Sequence, residues 1–76
     1  MPKEKTAVNE AVGGAIRDAR KQQGYTQEAL ALATGLDRSH MGAIERGEFN
    51  LTLGTLLKVA RTLGVSAAEM LSRAGL

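Results

Sequence analysis

The chain has 76 residues, enough for one small domain whose core supports only marginal independent stability. It has no cysteine, which excludes a disulfide framework, a zinc knuckle and a thiol nucleophile, and its two aromatic residues exclude a stacking platform for single strands. The formal net charge of +2 is too mild for a general polyanion binder, so any binding of nucleic acid must rest on where the charges sit.

Residues 1–6, MPKEKT, are polar and hold the only proline. They are expected as a flexible tail, from which Lys3 and Lys5 can approach phosphate. Residues 7–23 are predicted as the first helix, with Val8, Val12, Ile16 and Ala19 on one face at three- and four-residue spacing. Gly13 and Gly14 lie inside it, each costing roughly 0.5–1 kcal/mol relative to alanine. Close approach of another helix would explain them; a tolerated weak point is the alternative. Arg17, Arg20 and Lys21 stand near its C-terminal end, where cations suit the helix dipole, and Gly24 ends it.

The stretch 26–47 organises the chain. Thr26 is a good N-cap for a helix over 27–34, and Gly35 supplies the left-handed residue after it. Asp37 then caps a helix over 38–46, which Gly47 ends. Two helices joined by so short a glycine turn have the outline of a helix-turn-helix. The second helix is expected to bury Leu30, Ala31 and Thr34 and to leave Leu32 outside. In the third, Met41 and Ile44, with Leu36 before them, form the inner side. Arg38, Ser39, Gly42 and, on a flank, His40 form an outer face without bulky apolar groups. Such a face can enter a groove or remain an ordinary solvated surface.

Residues 47–51, GEFNL, read as a loop, with Phe49 expected to pack into the core, an interface position being the alternative. A fourth helix over 53–63 repeats apolar residues at Leu53, Leu56, Leu57, Ala60 and Leu63, with Val59 alongside, before Gly64. A fifth, over 67–73, is expected to bury Leu71, with Met70 beside it. Four helix starts share a hydrophobic staple, one apolar residue before the cap and another four positions in. The pairs are Tyr25 with Leu30, Leu36 with Met41, Leu51 with Leu56 and Val65 with Met70. Ser66 and Glu69 add a capping box. Alternating strands and hairpin dipeptides are missing, so the fold class is all-α with five helices. No apolar run approaches the ~18–20 residues of a membrane span and no signal-peptide pattern opens the chain. A soluble, cytoplasmic protein is expected.

The motifs Gly24-Tyr25-Thr26-Gln27-Glu28, Leu30-Ala31, Gly35-Leu36, Ile44-Glu45-Arg46-Gly47 and Leu56-x-x-Val59-Ala60-x-x-Leu63-Gly64-Val65 stand in one register. In that combination the chain resembles the lambda-repressor-like (Cro/C1, XRE-type) helix-turn-helix family over about residues 8–72. Leu36-Asp37-Arg38-Ser39, Ile44-Glu45-Arg46 and Asn50-Leu51-Thr52 look particularly like restriction–modification controller proteins. The resemblance implies that residues 7–76 form the DNA-binding domain and that the helix at 38–46 lies in the major groove. Arg38, Ser39 and Gly42 match positions that touch base edges. Arginine suits the role because its fork can grip O6 and N7 of guanine together, worth ~1–3 kcal/mol against the wrong base. Thr26, Gln27, His40, Arg46 and Asn50 become candidate phosphate contacts, Gln27 at the N-terminus of helix two. For His40 a solvent-facing position without a role is the alternative. Arg20 and Glu45 match an ion pair tying helix one to the end of the recognition helix.

The chain departs from its relatives at Phe49, where many carry a basic residue, and at Glu48. Segment 37–48 has Asp37, Glu45 and Glu48 against Arg38 and Arg46, a net charge of −1. Non-specific affinity should therefore be modest, and specific binding should need both halves of a dimer. The expected function is a transcription regulator that binds a roughly palindromic operator in double-stranded DNA as a homodimer. Leu53, Leu57, Met70 and Leu76 are candidate dimer contacts. No cofactor, metal, membrane or small-molecule ligand is implied, and activation would require contact with RNA polymerase. The alternative is a protein-interaction module, antitoxin-like or an adaptor, with DNA binding secondary. One histidine without paired carboxylates leaves an enzyme little to stand on.

Overall fold

Local chemistry sets where each helix starts and stops. The computed structural model describes residues 6–76, which form α1 (Ala7–Gln22), α2 (Gln27–Thr34), α3 (Arg38–Glu45), α4 (Leu53–Thr62) and α5 (Ala67–Arg73). Each start is capped by a side-chain oxygen that accepts from a first-turn N–H lacking a helical partner. Thr6 accepts from Asn9, Thr26 from Ala29, Asp37 from Ser39, Thr52 from Thr55 and Ser66 from Glu69, all at 2.9–3.1 Å. Thr6 therefore belongs to α1 rather than to the expected tail, and the rest of that tail, with Lys3 and Lys5, lies outside the described residues. At Ser66 the capping box forms only by half, because the Glu69 carboxylate turns to Arg73 at 2.6 Å.

Each helix ends on a glycine with φ between 73° and 81°, followed by an N–H that bonds back to the third carbonyl before the cap. Three of the four connections then reduce to one formula: glycine, apolar residue, cap. They are Gly24-Tyr25-Thr26, Gly35-Leu36-Asp37 and Gly64-Val65-Ser66. The middle residue serves two helices, closing one end and stapling the next start, and Tyr25, Leu36 and Val65 all lie half-buried against the core. The α3–α4 connection differs. Glu48, Phe49 and Asn50 are inserted between Gly47 and the Leu51-Thr52 start.

Helices of eight residues, such as α2 and α3, do not persist alone in water, so packing must hold them. The core is built on Ile16, Leu30, Met41, Ile44, Val59, Leu63 and Met70, each less than 2% exposed. Burying a side chain of this size stabilises by roughly 1.5–3 kcal/mol. In the resulting cluster α1 packs on α3 and α5, α2 on α3 and α4, and α4 on α5. The crossing of α1 and α3 explains one of the paired glycines. A Cβ on Gly13 would lie 2.8 Å from the Glu45 carbonyl oxygen and nearer still to that of Ile44. A Cβ on Gly14 would meet nothing within 4 Å, so only Gly13 is required.

Burial corrects several assignments made from periodicity. Val8 is 54% exposed, because it sits in the first turn of α1, before the stripe that meets α3 begins. On α4 the buried stripe is Leu56, Val59, Ala60 and Leu63; Leu53 precedes it uncovered, and Leu57, about 100° round the helix from Leu56, falls at its rim. On α5 the order is reversed from expectation: Met70 is wholly enclosed and Leu71 only partly. Phe49 does not enter the core; it is 42% exposed on the α3–α4 loop.

Candidate nucleic-acid interface

The outer side of α3 begins where Asp37 spends its carboxylate on the cap, which leaves Arg38, Ser39 and His40 exposed in the first turn. With Gln27 and Arg46, Arg38 and Ser39 line a shallow polar concavity of about 310 Å³ whose floor is Gly42. Two flexible side-chain ends lie close over this floor. A Cβ there would stand 3.0 Å from the Arg46 guanidinium and 3.4 Å from the Gln27 side-chain oxygen.

Beneath the concavity lies a buried polar network. Arg20 donates to both carboxylate oxygens of Glu45, at 2.7 and 3.1 Å, and to the Tyr25 carbonyl at 3.0 Å. Gln27 Nε2 donates to the same Glu45 carboxylate at 3.1 Å. One carboxylate thus joins α1, the α1–α2 turn, α2 and the end of α3. A charged pair this enclosed is tolerable only because its hydrogen bonds are made, and no side-chain polar atom is left buried and unpartnered among the described residues. The link from Gln27 to Glu45 was not legible in sequence. It occupies one amide hydrogen of a residue expected at phosphate.

Both exposed cations have acidic neighbours, exposed Glu28 and partly buried Glu48. Arg38 lies 3.7 Å from Glu28, and Arg46 pairs with Glu48 at 3.0 Å. Hydrogen bonding by Glu48, then its charge, raises the Arg46 guanidinium above the ordinary arginine range, so Arg46 stays cationic at any working pH. Solvent screens ion pairs at the surface, so a phosphate can displace the carboxylate at little cost. The Thr26 hydroxyl accepts the α2 cap bond, and its own proton remains to be donated. Asn50 accepts from Asn9 at 2.7 Å, fastening the loop to α1. His40 stacks on Phe49, with ring centroids 5.0 Å apart. That contact joins residues nine apart on a helix and an irregular loop, and no periodicity announces it.

Away from this face, Leu53, Leu57 and Leu76 are 77%, 42% and 60% exposed. Met70, expected beside them at a dimer contact, has no exposed surface to offer a partner. An apolar groove of about 190 Å³ runs between Val8, Val12, Phe49, Leu51, Leu53 and Leu71. No cluster of potential metal ligands occurs among the described residues, and no helix there is long and apolar enough to cross a membrane.

A helix-turn-helix family model matches residues 16–70, which run from the middle of α1 to α5 and include the whole concavity. The chain belongs to the lambda-repressor-like, XRE-type helix-turn-helix family. Its relatives include Control protein C.SmaI of Serratia marcescens, 38% identical over 69 residues that span 91% of this chain and 82% of that one. The restriction–modification controller protein C.AhdI from Aeromonas hydrophila superposes with a TM-score of 0.82 at 38% identity, covering 86% of this chain and 98% of that one. SinR, a master regulator for biofilm formation solved in complex with DNA, superposes at 0.74 with 34% identity, over 79% of this chain and 97% of that one. This chain is thus a transcriptional regulator of the XRE helix-turn-helix type, similar to restriction–modification controllers.

Proposed function

We propose that this regulator binds double-stranded DNA sequence-specifically as a homodimer on a roughly palindromic operator, in the manner of a restriction–modification controller. The observation that carries this is the concavity itself: Arg38 and Ser39 exposed at the start of α3, over a glycine floor, with Gln27 and Arg46 at the rim. α3 enters the major groove by its N-terminal turn. Arg38 grips a guanine edge through its two-pronged guanidinium, and Ser39 makes a shorter, less selective contact. Gly42 lets the helix approach closely. Thr26 and Gln27 hold a phosphate at the N-terminus of α2, while Arg46 and Asn50 hold another from the far side.

The same charges explain why one half-site is not enough. Glu28 and Glu48 offset Arg38 and Arg46, so each domain brings little unpaired positive charge to the backbone. Two recognition helices related by a two-fold axis read half-sites about 34 Å apart, or a multiple of that. Leu53, Leu57 and Leu76 supply apolar surface for the partner. DNA binding here involves no bond-making step and no cofactor, and contact with RNA polymerase would be needed only if the protein activates.

Selection from a random duplex library, followed by titration of the winner at several salt concentrations, tests this reading. An enriched palindrome bound cooperatively, with log affinity falling linearly against log salt, is the expected result. Failure to enrich any site, with only weak salt-sensitive binding, would favour a protein-interaction module instead.

A further inference from the structure

On the flank of α3, next to Ser39 but outside the residues that line the concavity, two exposed rings lie face to face. His40 and Phe49 have centroids 5.0 Å apart and planes inclined by only 10°. Phe49 remains 42% exposed, so burial in the core does not account for its place. Its ring lines the apolar groove and also backs the imidazole, which stands next to Ser39 in the first turn of α3. Histidine is the side chain whose charge ordinarily changes between pH 5 and 8, and His40 is the chain's single histidine. An imidazolium against an aromatic face gains a cation–π attraction that a neutral imidazole lacks.

The charged groups around it are Asp37 and Arg38 at the start of α3, the Arg46–Glu48 pair on the loop, and Glu10 of α1 against the backbone of Gly47. Asp37 is committed to the cap and Glu48 to Arg46. The anion that arrives when DNA binds is a backbone phosphate. We propose that Phe49 is a positioning residue for His40: the stack holds the imidazole on the flank of α3, where in its protonated form it contacts the duplex backbone and operator binding takes up a proton. This rests on the regulator reading above. The sign follows directly. The bound state favours the charged ring, so affinity rises as pH falls through the histidine range and levels off above it.

The test uses the full chain on its selected operator, at constant ionic strength, at about pH 8 and about pH 5.5, which span the histidine range. The expected rise in affinity for the unaltered chain is on the order of tenfold. His40→Gln keeps a hydrogen-bonding side chain without a titrating charge, and its profile should be flat. Phe49→Ala should lose more than half of the rise, and Phe49→Tyr, which keeps the ring, should restore it. Thermal unfolding at both pH values establishes that every variant is folded. A rise that survives in His40→Gln, or a Phe49→Ala profile identical to that of the unaltered chain, overturns the proposal. Specific binding with no pH dependence overturns it alone, whereas failure to bind any duplex specifically removes the regulator reading and this proposal together.

Discussion

The three short connections and the α3–α4 loop are built on opposite terms. Gly24-Tyr25-Thr26, Gly35-Leu36-Asp37 and Gly64-Val65-Ser66 each close one helix, staple the next and cap it within three residues. Apart from the donor of the Thr26 hydroxyl, their side chains are committed to the fold. The loop inserts Glu48, Phe49 and Asn50, and all three reach outside the formula: to Arg46, to His40 and to Asn9. The difference teaches where such a domain can vary. Connections that do three structural jobs at once are constrained at every position, while the inserted loop is free to tune the charge and shape of the DNA-facing side.

That contrast can be broken at graded cost. The largest effect is expected at Glu45, which ties the end of α3 to Gln27 and, through Arg20, to the Gly24-Tyr25-Thr26 joint. Glu45→Ala strands the buried Arg20 guanidinium and releases Gln27, and should cost about 3–5 kcal/mol in chemical unfolding. A loss below 1 kcal/mol would mean that the network is incidental. Gly47→Ala comes next. Its backbone is left-handed, at φ 75°, and a Cβ would lie 2.7 Å from Glu10 Cα, so roughly 2–4 kcal/mol is expected. Gly35→Ala has a similar φ of 73° with open space around it and should cost only ~1–2 kcal/mol. Equal losses at the two sites would show that close packing on α1 adds nothing.

The DNA-facing predictions are smaller in stability and sharper in specificity. Arg38→Ala should narrow the gap between cognate and mismatched duplex by about 1–3 kcal/mol, read by competition binding, with little change in unfolding. Equal weakening on both duplexes would make Arg38 a backbone contact. Glu48→Gln removes the carboxylate that holds Arg46 and should change stability little. It should also tighten binding to all duplexes and steepen the salt dependence by about one phosphate contact. An unchanged slope would mean that Arg46 never exchanges Glu48 for phosphate.

Much of the site was legible before any coordinates. Helix starts and stops are local events, so Thr26, Gly35, Asp37 and Gly47 mark α2 and α3 to within a residue. Helical spacing alone gives the outward set Arg38, Ser39, Gly42 and, on a flank, His40; of these Gly42 is buried, because the Arg46 and Gln27 side chains lie over it. What escaped depends on contacts distant in sequence. Gln27 and Glu45 meet only because α2 and α3 fold back on each other, and Gly13 is needed only because α3 ends against α1. Leu53 and Leu57 show the same limit from the other side. Spacing places them on the apolar face of α4, yet the described residues leave Leu53 uncovered and Leu57 only partly covered.

The sequence by itself determined five helices, their caps, their three-residue joints and the residues that α3 turns outward. These are set by hydrogen-bonding groups within four or five residues of one another and by a fixed angular step per residue. Tertiary structure alone decided which apolar side chains are covered, which of two adjacent glycines is indispensable, and which distant partners Gln27 and Asn50 take. The reason is physical: burial and long-range hydrogen bonds require two surfaces, and only packing brings the second one.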